Sequence, residues 1–270
     1  MINQRQGVYA IYINIYSLFR YSGLMFIALS IISCAHHPQM TPASADTNHY
    51  VVLLHGLART ERSMIKMQVE LAKHGYGTCN IAYPSTKFPT GILLHEYVLP
   101  EIESCLPSDD VKVSFVTHSL GGIIVRLMFE DKRPVNLDKV IMLSPPNQGS
   151  EVVDALGQTW LFQLINGPAG SELGTGDDSL PNRIGPPNYP VGIIIGNRSI
   201  NLILSSIIPG ADDGKVSVER AKLEGMKDFL IVPHSHPFIM RGNDVIEQVI
   251  YFLKHEQFKK PDTRNDRQAL

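Results

Sequence analysis

Short apolar runs rich in Val and Ile, at residues 50–54, 76–83, 111–116, 137–143, 191–195 and 229–232, alternate along this chain with stretches of helical spacing at 60–74, 92–106, 119–131 and 244–254. Runs that are apolar at every position have no side to offer to water, so they belong in a sheet covered above and below. Strand–helix–strand repetition calls for a mostly parallel sheet, because each helix must carry the chain back across a face before the next strand begins. The expected class is α/β, with helices on both faces. A chain of 270 residues, 44% hydrophobic and 19% charged, can fill such a core. Its formal net charge of -2, with no basic or acidic run, argues against a nucleic-acid partner.

Three segments fall outside the alternation. The first is the stretch before residue 34. Arg20 precedes an apolar run, residues 23–32, that ends at Ser33-Cys34. A basic residue, a short apolar stretch and a small residue describe an export signal or membrane segment over 1–33. Residues 34–48 read as a polar linker, and the folded domain is expected over 49–256. The second is 150–189, where Val152, Val153, Leu156, Trp160 and Leu164 have the spacing of one amphipathic helix, with Ser150 as its N-cap. It reads as a cap-like insertion whose apolar face, including Trp160, Phe162 and Leu164, could bind an acyl chain. The third is a charged tail, 257–270, expected to be disordered.

In an open parallel sheet, sites form at the carboxyl ends of the strands. His55-Gly56, Ser119 and Ser144-Pro145 all fall at such ends. The strand Val113-Ser114-Phe115-Val116 runs into Thr117-His118-Ser119-Leu120-Gly121-Gly122, and a helix starts at once. A sharp strand-to-helix turn lifts a serine hydroxyl clear of the backbone, and small residues must flank it. The helix amino end adds a field that favours developing negative charge. No His, Cys, Asp or Glu set has metal-ligand spacing, so neither metal nor cofactor is expected.

Val52-Leu53-Leu54-His55-Gly56, Thr117-His118-Ser119-Leu120-Gly121-Gly122, Asp212-Asp213-Gly214 and Ser235-His236 together resemble the α/β-hydrolases of the lipase and esterase group, over about residues 50 to 255. Thr117 stands where the usual Gly-x-Ser-x-Gly elbow has its first glycine. The resemblance implies a triad in the order Ser, acid, His. Ser119 is the nucleophile. Asp213, directly before Gly214, is the acid, with Asp212 as the alternative. His236, in Ser235-His236-Pro237-Phe238, is the base, with His234 as the alternative. It further implies an oxyanion hole from the backbone N–H groups of Leu57 and Leu120, and a structural role for His55 and for Pro145-Pro146-Asn147-Gln148-Gly149-Ser150. Ile31-Ile32-Ser33-Cys34 resembles a bacterial lipobox, in which Cys34 would be lipidated. In an exported chain, the remaining pair Cys79 and Cys105 is a candidate disulfide; in the cytosol it would be two thiols.

The function expected is hydrolysis of an acyl ester, small-molecule or lipid, by an exported enzyme held at the cell-envelope membrane by its N-terminal segment or a lipid. A thioesterase or acyltransferase on the same triad is the alternative, and a non-catalytic binding protein of the same fold is the reading from another class. Oligomeric state is not legible.

Overall fold

In a computed structural model of the chain, residues 48–131 and 135–260 are described. Cys34, the signal-like segment and nearly all of the linker lie outside them. Among the described residues no helix is long and apolar enough to cross a membrane.

Six strands form one sheet: β1 (His49–Leu54), β2 (Gly77–Ile81), β3 (Lys112–His118), β4 (Asn136–Leu143), β5 (Val191–Gly196) and β6 (Asp228–Val232). Their order is β2-β1-β3-β4-β5-β6, and every neighbouring pair is parallel. β3 lies in the interior of the sheet, which is why Val113 to His118 are all buried. The two-residue alternation of a strand divides the core between the faces. Val52, Phe115, Met142 and Ile193 point to one side, and Val51, Val116, Ile141 and Ile194 to the other.

Helix α1 (Ile65–Lys73) covers the second face through Met67 and Leu71. The closing helix covers it through Val245, Val249 and Phe252. The first face carries α2, a helical segment running through Thr90–Ile92, Leu93–Val98 and Leu99–Cys105, and α3 (Leu120–Asp131). The middle of α2 has π geometry. Pro100 has no N–H for the usual i→i−4 bond, and the stretched ladder lies just ahead of it. Cys79 in β2 and Cys105 at the end of α2 are joined by a disulfide with Cα atoms 6.0 Å apart.

Between β4 and β5 the insertion holds α4 (Glu151–Leu156), α5 (Trp160–Ser171) and α6 (Leu180–Arg183). The single amphipathic helix expected here is two. Gly157 ends α4, and Thr159 caps α5 by accepting from the Phe162 N–H. The break rotates the second half relative to the first. Trp160 and Leu164, expected on the apolar inner face, are 74% and 72% exposed. Ser150 holds the N-cap position without a capping bond, because its hydroxyl donates to the Lys215 carbonyl instead. Gly167 has φ 64, and a Cβ there would lie 1.7 Å from the Thr86 carbonyl oxygen, so the kinked second half of α5 is pressed onto the 84–89 loop.

Between β5 and β6 a second excursion holds the short helix α7 (Leu202–Ser205), which the apolar pattern did not reveal. The last helix, α8 (Asn243–His255), ends in Glu256 with φ 56. Residues 257–260, placed in the tail by the sequence, are described and packed on the domain. Phe258 is buried against Phe252, and its N–H donates to Asp228.

Arg126 is buried in α3 and, among the described residues, makes no ion pair with a carboxylate. Its guanidinium donates to the carbonyls of Asn147, Pro181 and Ile184. Burial pushes its pKa down to about 10, so it remains charged at neutral pH.

The disulfide closes a loop of sequence separation 26, which by loop-closure entropy is worth roughly 3–4 kcal/mol. Cys79→Ser/Cys105→Ser, or full reduction, should lower the unfolding midpoint by about 10 °C in calorimetry.

Candidate active site

Three non-glycine residues at the carboxyl edge of the sheet have positive φ: Ala58 after β1 (54), Ser119 after β3 (52) and Ser144 after β4 (50). Such backbone is costly for an L-residue and persists where packing over-determines it. At Ser119 the packing is identifiable. Its N–H donates to the Leu143 carbonyl, and its own carbonyl accepts from Gly122 N–H, which starts α3 at once. A Cβ on Gly121 would lie 2.7 Å from the Leu54 carbonyl oxygen, so α3 can pass β1 this closely only with glycine there. Thr117 fits the crowded turn because Gly122 faces it. A Cβ on Gly122 would sit 3.4 Å from Thr117 Oγ1.

The structure brings together the three residues that the chain order singles out. His236 Nε2 is 3.1 Å from Ser119 Oγ, and His236 Nδ1 is 2.8 Å from Asp213 Oδ2. Asp213 Oδ1 accepts from the N–H groups of Lys215 (3.0 Å) and Val216 (2.9 Å), which fixes the carboxylate plane. All three side chains are buried, Asp213 completely. The alternatives are occupied elsewhere. Asp212 accepts from Ser205 Oγ and Gly214 N–H and so holds its own turn. His234 bonds Asp244 at the start of α8.

Leu57 N–H has no hydrogen-bond partner among the described residues, and Leu120 opens α3, where a helix leaves its N–H groups without intrahelical acceptors. Leu120 directly follows Ser119, and Leu57 follows Gly56, which lies against the elbow. A Cβ on Gly56 would come within 3.1 Å of Ser119 Cβ. His55 stacks on Tyr83 at 4.0 Å, its Nδ1 contacts the Gly56 carbonyl, and Tyr83 OH donates to the His55 carbonyl. It shapes the loop and does not touch Ser119 Oγ. The segment Asn147 to Ser150 bonds to Arg220, Ala221 and Lys215, tying the exit of β4 to the loop that carries Asp213.

One residue of the elbow escaped the sequence reading. His118 is buried beside His236, ring centroids 4.9 Å apart, with its Nε2 donating to the His236 carbonyl at 3.0 Å. Burial holds His118 well below the ordinary imidazole value, and His236, Arg59 and Lys215 push it the same way. It is therefore neutral, with the proton on Nε2. The signal available in the sequence was only its place before Ser119.

Above Ser119 opens a cavity of about 580 Å³. Val152, Val153 and Leu156 of α4, Leu161, Phe162 and Ile165 of α5, and Ile200 and Leu204 near α7 make its walls largely apolar. Of the residues expected to hold an acyl chain, Phe162 lines it; Trp160 and Leu164 do not. Among the described residues no group of three His, Cys, Asp or Glu side chains could hold a metal ion.

A family described as "Putative serine esterase (DUF676)" matches residues 44–143, a stretch that contains Ser119 but neither Asp213 nor His236. No curated relative matches the sequence. Among solved structures, the mature form of the lipase BlEst2 from Bacillus licheniformis is 22% identical with a TM-score of 0.58, covering 80% of this chain and 94% of that one. Its propeptide form has a TM-score of 0.61, at 22% identity, over 81% of this chain and 53% of that one. The esterase PF2001 of Pyrococcus furiosus is 17% identical with a TM-score of 0.55, over 77% of this chain and 82% of that one. The fold is that of the α/β-hydrolases. The serine-esterase match covers the stretch that carries the Ser119 elbow.

The two buried neutral histidines give a pH dependence. Burial lowers the folded pKa of both His55 and His118, so below about pH 6.5 the unfolded chain binds more protons than the folded one. Stability is therefore complete above that pH and is lost as pH falls, by up to about 1.4 kcal/mol per pH unit for each histidine. Urea midpoints should be flat above pH 7 and fall between 6.5 and 5. His118→Asn should make that slope shallower.

Proposed function

We propose that the protein hydrolyses acyl esters by an acyl-enzyme route, with Ser119 as nucleophile, His236 as general base and acid, and Asp213 as the group that orients it. The observation that carries this reading is the unbroken hydrogen-bond line from Ser119 Oγ through His236 to Asp213, whose second oxygen is held by two amides. His236 Nε2 takes the Ser119 proton as Oγ attacks the ester carbon. Asp213 keeps the other ring nitrogen protonated, so Nε2 presents its lone pair to the serine. The developing oxyanion is bound by the N–H groups of Leu57 and Leu120, which need no reorganisation to receive it. His236 then gives its proton to the leaving alcohol oxygen. A water, deprotonated by the same nitrogen, attacks the acyl-enzyme and frees Ser119.

The apolar cavity supports an acyl chain of medium or greater length as the bound group. Of the residues that line the cavity, Leu161, Ile165 and Ile200 are more than half exposed. Apolar surface gathered at one opening supports a substrate presented at a lipid surface. Export to an oxidising compartment is part of the proposal, supported by the Cys79–Cys105 bond. So is a lipid on Cys34, which would hold the protein at a membrane.

A fluorophosphonate probe should label the wild type and leave Ser119→Ala unlabelled. Ser119→Ala should lose about 10⁴-fold or more in kcat, Asp213→Asn a similar order, and His234→Asn less than tenfold. Wild-type kcat/KM on para-nitrophenyl esters should rise from acetyl to octanoyl and beyond. Faster turnover of matched acyl thioesters would favour the thioesterase reading, and an unlabelled wild type would remove the enzyme altogether. Cys34→Ser should move the protein from the membrane fraction to the soluble one.

A further inference from the structure

The cavity that serves Ser119 carries two cations that the acyl-transfer chemistry does not use. Arg59 stands two residues past Leu57 and lines the cavity; its only hydrogen bond among the described residues is one long contact, 3.5 Å, to the Pro237 carbonyl next to His236. Lys215 stands two residues past Asp213. Its backbone N–H is bound to that carboxylate, but its ammonium has no hydrogen bond and no ion pair among the described residues. An arginine has five N–H donors and a lysine three, so most of this donor capacity faces the cavity unspent.

Only one acid on the walls opposes them, and its hydrogen bonds are taken. Asp213, the one carboxylate lining the cavity, has Oδ2 on His236 and Oδ1 on two amides. Nearby acids are engaged elsewhere: Glu151 holds Arg220, Glu61 faces Arg62, and Asp212 ties down its own turn. The two cations are close enough to repel. Burial lowers the Lys215 pKa first, and Arg59 lowers it further, with Asp213 opposing. Two like charges held together in a half-enclosed site, with the single carboxylate of Asp213 against them, leave a net positive charge that an anion would neutralise.

The side of the ester they would meet follows from the walls. α4 and α5 contribute apolar side chains, which suit the acyl chain. Arg59 and Lys215 belong to the loops that carry the oxyanion donor and the acid, and Arg59 touches the residue after His236. His236 is the group that protonates the leaving oxygen, so this is the alcohol side.

We infer that Arg59 and Lys215 form an anion subsite beside the triad, and that the substrate is an acyl ester whose alcohol carries a phosphate or comparable negative group. This rests on the ester-hydrolase reading above. Guanidinium and ammonium are the donors that recognise such an oxyanion, each bond to a charged group being worth about a tenfold to hundredfold preference.

The test is a matched series with one acyl chain: octanoyl glycerol 3-phosphate, octanoyl glycerol and octanoyl choline, below their aggregation limits at low ionic strength. In the wild type, kcat/KM should be at least tenfold higher for the phosphate ester than for the neutral one, chiefly through KM, and lowest for the cationic one. In Arg59→Gln/Lys215→Gln the three should converge, with the neutral ester within about threefold of wild type. Inorganic phosphate should compete with the neutral ester in wild type and not in the double variant, if a free anion suffices. Competition only by glycerol 3-phosphate would assign the subsite to the whole headgroup. Equal use of the three esters by wild type, or a phosphate preference that survives in the double variant, overturns the subsite while leaving the hydrolase standing. No hydrolysis of the neutral ester and no fluorophosphonate labelling would instead remove the reading beneath it.

Discussion

The site depends on one close passage. Helix α3 leaves β3 within a single residue and crosses the end of β1 at a distance that only a glycine at 121 permits. That crossing forces Ser119 into positive φ and turns its hydroxyl toward the cavity and away from the core. It also sets the Leu57 loop opposite the first turn of α3. Everything else in the site is arranged around a serine whose position is set by backbone packing, not by its own side-chain bonds. The adjacent His118 extends the same logic, since its ring carries a bond from the elbow to the backbone of His236. Ser119 and the backbone of His236 are thus fastened to each other through the ring of the residue before Ser119.

The acid arm is built differently. Asp213 sits in a turn closed by Asp212, by an isolated bridge between Asp212 and Ser217, and by bonds from the Asn147 to Ser150 segment. A loop this far from the strands gains its rigidity from polar contacts with a neighbouring loop. That explains the division between the two aspartates. Asp212 spends its oxygen on the turn, which frees Asp213 to face His236.

The sheet and the elbow were legible because they depend on local pattern. An interior parallel strand must be apolar on both faces, and β3 and β5 are. The order Ser119, Asp213, His236 was legible only through resemblance, since nothing in the spacing of Asp212-Asp213 or His234 and His236 says which member faces the serine. The insertion was misread where the period of 3.6 continued through a break. Val152 to Leu164 scans as one helix, yet Gly157 stops the first and Thr159 starts the second. The apolar pattern also failed at α7, a helix of one turn whose Leu202 and Ile203 are exposed at 79% and 78%. Arg59, Lys215 and Arg126 were invisible for a common reason. A cation is remarkable only for what does or does not surround it, and that is a property of the folded cavity.

Arg126 has a further consequence. Its guanidinium holds the Asn147 carbonyl where the chain leaves β4, and the Pro181 and Ile184 carbonyls where it is about to return to β5. The two ends of the insertion are therefore pinned to one point on the helix that follows Ser119. What lies between them is a closed excursion from the sheet, and one buried cation marks the seam where it leaves and returns.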